Sequence, residues 1–312
     1  MSEKFRLITR SDMDGLVCAI LLKEMDIVDD ILFVHPKDMQ DGLIEISEND
    51  IITNLPYVPE AHLVFDHHAS EMERVKGPKS NHIIDPHAPS AARVVYEFYG
   101  GRAAFPNVTE DMMIAVDKID AAELSKDDIL DPPGWILLGY LMDARTGLGR
   151  FREFRISNYQ LMMDLIGYCR TNQDISAILE LPDVAERVAL YREHEEEFAK
   201  QLRRCVNIQG TTAILDLRNE ETIYVGNRFM IYAMFPDTNI SIHVMWGREK
   251  QNTVFALGKS IVNRTSKVNI GKLMLDYGGG GHVAAGTCQV MNDRAEGIRQ
   301  ELVEKIAATE AQ

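Results

Sequence analysis

The sequence predicts an α/β protein: an N-terminal doubly wound parallel sheet, and a smaller C-terminal α/β domain joined to it by a helical connector. Three observations predict it. Short apolar runs alternate with helical periodicity early in the chain, which calls for right-handed crossovers between parallel strands. The stretch 132–204 then reads as nearly all helix, and β-like runs return after Cys205. At 312 residues the chain can bury one large core or two medium ones.

Taken in order, residues 5–9 read as a strand, 16–25 as a helix and 31–35 as a second strand. Residues 51–53, 62–65 and 82–84 follow as short buried strands, while 90–99 and 110–119 carry helical periodicity. The charged run ending at Arg204, VAERVALYREHEEEFAKQLRR, reads as a solvated amphipathic helix placed to connect two domains. Beyond it, 213–217, 223–225, 240–246 and 253–257 are expected strands. A Gly-rich segment at 278–281 follows a helical stretch, 287–291 closes the sheet, and 294–308 forms a terminal helix. The expected division is 1–181 for the first domain, 182–204 for the connector and 205–312 for the second domain.

Composition excludes several classes. With 33 basic and 48 acidic residues the net charge is −15, which argues against a basic surface coating long nucleic acid. A polyanionic substrate held at one local site stays compatible with it. Cys18, Cys169, Cys205 and Cys288 lie far apart with no CxxC pair, so neither a zinc cage nor a disulfide framework is expected. The opening MSEKFRLITR has no apolar signal core, and the longest apolar stretch, 135–142, is too short to span a bilayer. A cytoplasmic protein without membrane attachment is therefore expected.

Doubly wound sheets bind ligands beyond the carboxyl ends of their strands, which directs attention to the residues just after each strand. After the first comes Asp12-Met13-Asp14-Gly15, two carboxylates able to converge on one cation; a surface turn is the competing reading. After the fourth comes Asp66-His67-His68, in which a metal-ligating imidazole stands beside a carboxylate that can fix its tautomer. Asp117 and Asp120 sit at the end of an apolar helix, where acids oppose the dipole, so they serve either a site or solvent. Gly278-Gly279-Gly280-Gly281-His282, continuing to Ala285-Gly286-Thr287, lets backbone approach a ligand and cradle an oxyanion; a flexible loop is the alternative.

Together, Asp12-Met13-Asp14-Gly15, Asp66-His67-His68 and Gly279-Gly280-Gly281-His282 with Ala284-Ala285-Gly286 resemble the DHH phosphoesterases that carry a C-terminal DHHA1 domain. The motifs stand in the family's order and span almost the whole chain. The closest likeness is to the small two-domain exopolyphosphatase-like and nanoRNase-like members. The resemblance implies a metal-dependent hydrolase using Mn²⁺ or Mg²⁺, one or two ions, with Asp12, Asp14 and His67 as ligands. It matches Asp117 to a later aspartate ligand, with Asp120 as its competitor. Asp66 and His68 join His67 as catalytic residues, and Asn263, Arg264, Gly279, Gly280, Gly281 and His282 would hold substrate from the second domain.

Two positions depart from the family pattern. Arg10 stands where many members have His, and Asn54 where a metal-bridging Asp is usual. An amide oxygen can ligate but cannot offset repulsion between dications, and a guanidinium repels them, so both changes weaken metal binding. Arg10 would instead grip a substrate phosphate. The expected function is hydrolysis of a phosphodiester or phosphoanhydride bond in a short oligonucleotide, a cyclic nucleotide or polyphosphate. The alternative is a catalytically weakened protein that binds a nucleotide or a protein partner. The expected partner is a small phosphate-containing substrate and not long nucleic acid; a homodimer is left open. Arg145, Arg150, Arg152 and Arg155 form a separate basic stretch, read as solvated or internally paired in preference to a nucleic-acid site.

Overall fold

The structure is a computed structural model that describes residues 4–311. Its first sheet contains β1 (Phe5–Arg10), β2 (Val28–Val34), β3 (Asp50–Thr53), β4 (Leu63–Asp66) and β5 (His82–Ile84). All pairings are parallel and the order is β2-β1-β3-β4-β5, so the winding reverses between β1 and β3. The helices threaded between and after these strands are α1 (Met13–Glu24), α2 (Pro36–Gln40), α3 (Ala69–Arg74), α4 (Ala91–Phe98) and α5 (Glu110–Asp120). Residues 13–22 of α1 are all buried, which is why its sequence is apolar on every side rather than on one stripe. Ile8, Ile52 and Val64 from adjacent strands pack with Val34, Leu55 and Tyr57 into one core cluster.

After α5 come α6 (Lys126–Leu130), α7 (Gly134–Met142), α8 (Asn158–Thr171), α9 (Ile175–Leu179) and α10 (Pro182–Cys205), with two 3₁₀ turns between residues 143 and 151. The charged face of α10 is solvated as expected, with one exception. Arg187 is fully buried, donating to Asn158 Oδ1 at 2.9 Å and to the Ile156 carbonyl at 2.7 Å, over the Phe154 ring. A charged residue that reads as solvent-facing is thus an anchor for the 151–158 segment, its donors satisfied by backbone and amide oxygens and by the Glu186 carboxylate.

The second sheet contains β6 (Val206–Gln209), β7 (Thr212–Asp216), β8 (Ile240–Trp246), β9 (Thr253–Lys259), β10 (Gly280–Gly281) and β11 (Ala285–Val290), in the order β10-β11-β9-β8-β7-β6. Only β7 and β8 pair in parallel. The accompanying helices are α11 (Met230–Met234), α12 (Ile270–Leu275) and α13 (Ala295–Glu310). Ile242, Phe255, Ile270, Met274, Ile298 and Leu302 form its core.

One expectation is corrected here. Residues 223–225 are not a strand: α10 side chains take the place of a ladder partner. Gln201 accepts from the Tyr224 amide and donates to the Thr222 carbonyl, and His194 Nδ1 accepts from the Val225 amide. In the Gly-rich segment, Gly280 and Gly281 pair with Thr287 and Gly286 as a short strand, against the flexible-loop alternative.

The chain forms two compact units, Met1–Leu124 with Pro132–Leu190, and Ser125–Asp131 with Tyr191–Gln312. The division falls within α10, and the segment around α6 belongs to the second unit. Among the described residues no helix is long and apolar enough to cross a membrane.

Candidate metal centre

The ends of β1, β3 and β4 carry the site. After β1 the chain turns sharply into α1, and the turn requires Gly15. A Cβ there would lie 1.9 Å from the Arg10 carbonyl oxygen and 2.9 Å from Thr9 Oγ1. Asp12 caps α1 by accepting from the Gly15 amide at 3.0 Å. Its other oxygen forms an ion pair with Arg10 Nε at 2.9 Å, and Asn54 Nδ2 approaches Oδ1 at 3.4 Å. Asp14 is 2% exposed and accepts from the amides of Ala91 (3.1 Å) and Ala92 (2.7 Å). These are the first residues of α4, whose N-terminus favours an anion.

Asp66, at the end of β4, is fully buried. Its Oδ1 accepts from the His67 amide at 2.8 Å and from His68 Nδ1 at 2.7 Å, which holds the second imidazole in one orientation. Its Oδ2 is buried without a hydrogen-bond partner. His67 Nδ1 lies 3.2 Å from the Ala88 carbonyl, so its proton is anchored there and Nε2 faces Asp120 Oδ2 at 2.8 Å. Asp14, His67 and Asp120 each offer a ligand atom, and these atoms lie within 4.8 Å of one another.

The electrostatics are those of an acidic cluster short of positive charge. Burial lifts the Asp14 carboxyl well above its usual range, and the Asp120 charge adds to the shift. Burial lifts Asp12 as well, with Arg10 opposing. Burial also pushes on Asp120, but contact with His67 outweighs it and holds Asp120 below the ordinary carboxylate range. His67 loses solvation, yet Asp120, Asp14 and Asp66 raise it to about 9.

These residues fit a divalent cation. The donors are carboxylate and imidazole, which suit Mn²⁺ or Mg²⁺. Asp66 Oδ2 and Asn54 Oδ1 are buried acceptors with no protein donor, the state of an oxygen whose partner is a cation or solvent. Asn54 takes φ 54°, a left-handed conformation that Asn tolerates, at the end of β3.

Of the two aspartates on α5, Asp120 joins the cluster and Asp117 does not. Asp117 Oδ1 accepts from Ser90 Oγ at 2.7 Å and Oδ2 from Arg93 Nε at 3.0 Å, which ties α5 to the N-terminus of α4. Of the two matches the resemblance left open, the geometry brings Asp120, and not Asp117, beside Asp14 and His67. Sequence reasoning missed Ala88, Ser90, Ala91, Ala92 and Arg93. Ser90 was findable, as a Ser at the mouth of an apolar helix is an N-cap signal, and here its Oγ accepts from the Arg93 amide at 3.0 Å.

The remaining candidates belong to the second unit. Asn263 and Arg264 lie in the turn after β9, where Ser260 Oγ accepts from the Asn263 amide, Asn263 Nδ2 donates to the Asp237 carbonyl and Arg264 Nε to the Ile261 carbonyl. The glycines serve close backbone packing. A Cβ at Gly279 would lie 2.1 Å from the Thr287 carbonyl, and Gly281, at φ 155°, would meet the Ala285 carbonyl at 2.2 Å. Gly280 faces open space, and the exposed His282 donates its amide to the Ala285 carbonyl. In the Arg145–Arg155 stretch, Arg145 pairs with Asp143 and Arg155 with Asp183.

No family model and no curated protein matches the chain. Among solved structures it is similar to a pGpG-specific phosphodiesterase, PggH from Vibrio cholerae. The identity is 59% and the TM-score 0.85, over 98% of this chain and 100% of that one. CDC45 from Entamoeba histolytica shares the fold at 9% identity and a TM-score of 0.50, over 97% of this chain and 95% of that one.

Proposed function

The chain belongs to the DHH/DHHA1 phosphoesterases, and from that premise we propose that it hydrolyses the phosphodiester bond of a short linear nucleotide, pGpG or a close analogue, to mononucleotides. The observation that carries this reading is the full-length similarity, at 59% identity, to a pGpG-specific phosphodiesterase. A short substrate also suits a chain of net charge −15, which has no excess of basic residues to track a long strand.

We assign Asp14, His67 and Asp120 to cation binding, with Asp12, Asp66 Oδ2 and Asn54 Oδ1 completing the donor set. Mn²⁺ or Mg²⁺, one or two ions, would neutralise the phosphoryl oxygens and acidify the attacking water. Water adds to phosphorus, the bond to the bridging oxygen breaks, and that oxygen leaves with a proton. The chain's own part is positioning. The α4 amides fix Asp14, the Ala88 carbonyl fixes the tautomer of His67, and Asp66 fixes the ring of His68, which we assign to orienting the scissile phosphate. Arg10, docked on Asp12 through Nε, keeps its terminal nitrogens for a phosphate oxygen. Asn263, Arg264, His282 and the Gly279–Gly281 backbone are assigned to substrate binding in the second unit. The four free cysteines support a reducing, cytoplasmic setting.

The test is chromatographic. Purified protein with Mn²⁺ should convert pGpG to GMP, stop on addition of a chelator, and lose turnover as Asp14→Ala. Absence of turnover with either Mn²⁺ or Mg²⁺ would sink the reading. If binding of pGpG survived that absence, the weakened-binder alternative motivated by Arg10 and Asn54 would take its place.

A further inference from the structure

A cavity of about 420 Å³ opens in the first unit beside Asp12, at the carboxyl ends of β1 and β2. That is within the roughly 300–1,000 Å³ typical of small-molecule sites. Three segments enclose it: the end of β2 with the start of α2, the end of α7 with the turn after it, and the start of α8. Of the cation ligands assigned above, only Asp12 lines it.

Two chemistries meet there. One wall is apolar, built from Phe33, Pro36, Leu141, Tyr159 and Met162. The Phe33 and Tyr159 rings meet edge to face with centroids 5.9 Å apart, and Tyr159 remains 47% exposed. The other side carries Arg10 and Arg145. Each guanidinium is docked through Nε on a neighbouring carboxylate, Arg10 on Asp12 at 2.9 Å and Arg145 on Asp143 at 2.7 Å. Neither makes a hydrogen bond through Nη1 or Nη2 to any described residue. Burial disfavours the charge on Arg145, but Asp143, Asp12 and Asp120 outweigh it and keep the guanidinium charged.

An aromatic and aliphatic slab is what a nucleobase stacks on, and a fork of unspent N–H donors is what a phosphate or the acceptor edge of a purine engages. We propose that this cavity seats a purine base of the nucleotide substrate against Tyr159 and Phe33, with the adjoining phosphate held by Arg10 and Arg145 next to the cation cluster. The proposal rests on the hydrolase reading and adds to it the subsite that selects the base. A purine is favoured over a pyrimidine by the size of the cavity and by the larger face it offers for stacking.

Two variants of opposite kind test it in the full-length protein. Ala144→Trp fills the mouth of the cavity from an exposed position, and Tyr159→Ala empties its wall. GMP binding by calorimetry reads the subsite without turnover. The ratio of kcat/KM for pGpG to that for bis(p-nitrophenyl) phosphate, a diester with no base, reads it during catalysis. Wild type should cleave pGpG at least about tenfold faster than pUpU, and both variants should weaken GMP and lower the ratio by about tenfold or more, mainly through KM. If both variants bind GMP and cleave pGpG within about twofold of wild type, the base-site assignment is overturned while the hydrolase reading stands. If GMP binds and weakens in the variants but no diester is ever cleaved, the hydrolase reading falls and the subsite stands.

Discussion

Charge is handled differently in the two units. In the second, ionisable groups sit near the surface and cancel one another: Arg218 pairs with Asp216 and Glu296, Arg204 with Glu220, and Lys305 with Asp276. Hydrogen bonds from Arg204 first and from Gln201 next outweigh desolvation and hold Glu220 down at about 2. In the first unit, Asp12, Asp14, Asp66 and Asp120 converge at strand and helix ends, two of them pushed up by burial and one keeping an unmatched oxygen. A fold selected only for stability would not gather four acids around two histidines and one arginine or leave Asp66 Oδ2 unmatched, because a buried carboxylate oxygen without a partner costs free energy. The contrast sets the acidic cluster at the first unit's strand ends apart from the rest of the described residues.

The largest expected effect breaks that contrast directly. Asp120→Ala removes a convergent carboxylate and should lower kcat on the order of 10³-fold, about 4 kcal/mol of barrier. Asp117→Ala, three residues away on α5, acts only through Ser90 and Arg93 and should cost about tenfold or less. Steady-state kinetics with Mn²⁺ held constant checks both, and equal losses would mean that the two aspartates share one role. Gly15→Ala comes next. Its Cβ has nowhere to go against the Arg10 carbonyl, so the first unit should lose about 3 kcal/mol and melt roughly 5–10 °C lower.

What could be read in the sequence follows from what is local. Asp12-x-Asp14-Gly15 and Asp66-His67-His68 are short motifs at strand ends, and the alternation of strands and helices placed those ends on one side of a parallel sheet. The choice between Asp117 and Asp120 was not local. Residues three apart share a helix face, and only Ser90 and Arg93, some twenty-five positions earlier, decide which carboxylate is occupied. The missing strand at 223–225 failed for a related reason. Its apolar, β-branched composition is right for a sheet, but Gln201 and His194 on a distant helix satisfy its backbone instead. Arg187 was hidden in a charged run because the partners that draw it inward, Asn158 and the Ile156 carbonyl, are remote in sequence, while Asp183 and Glu186 are its neighbours on the helix.

The second unit has its own exception, and it sharpens the comparison by pH. His243 on β8 is held neutral by burial, with the Arg228 charge adding, and its pKa falls from 6.5 to about 4. The folded state therefore refuses a proton that the unfolded chain accepts. Above about pH 6.5 there is no penalty, and as pH falls toward 4 up to about 3 kcal/mol of stability is lost. Urea titrations of wild type and His243→Gln across that window should show the slope in wild type and a shallower one in the variant. Parallel slopes would mean that His243 takes its proton in the folded state as readily as in the unfolded one.

The smallest effect asks whether constraint in the first unit is general or confined to the site. Gly167 lies on the exposed side of α8, with helical φ and nothing within 4 Å of the Cβ it lacks. Glycine inside a helix wastes backbone entropy that alanine would spare, so Gly167→Ala should raise stability by about 0.5–1 kcal/mol and leave kcat/KM for pGpG unaltered. The same substitution at Gly15 is expected to do the reverse, although both glycines sit in helices of one unit. The sign is set by what surrounds the missing methyl: solvent on α8, and the turn that delivers Asp12 and Asp14 on α1. If Gly167→Ala also cost stability, the strain would have to be spread through the whole first unit, and the strand ends would lose their claim to be where it is concentrated.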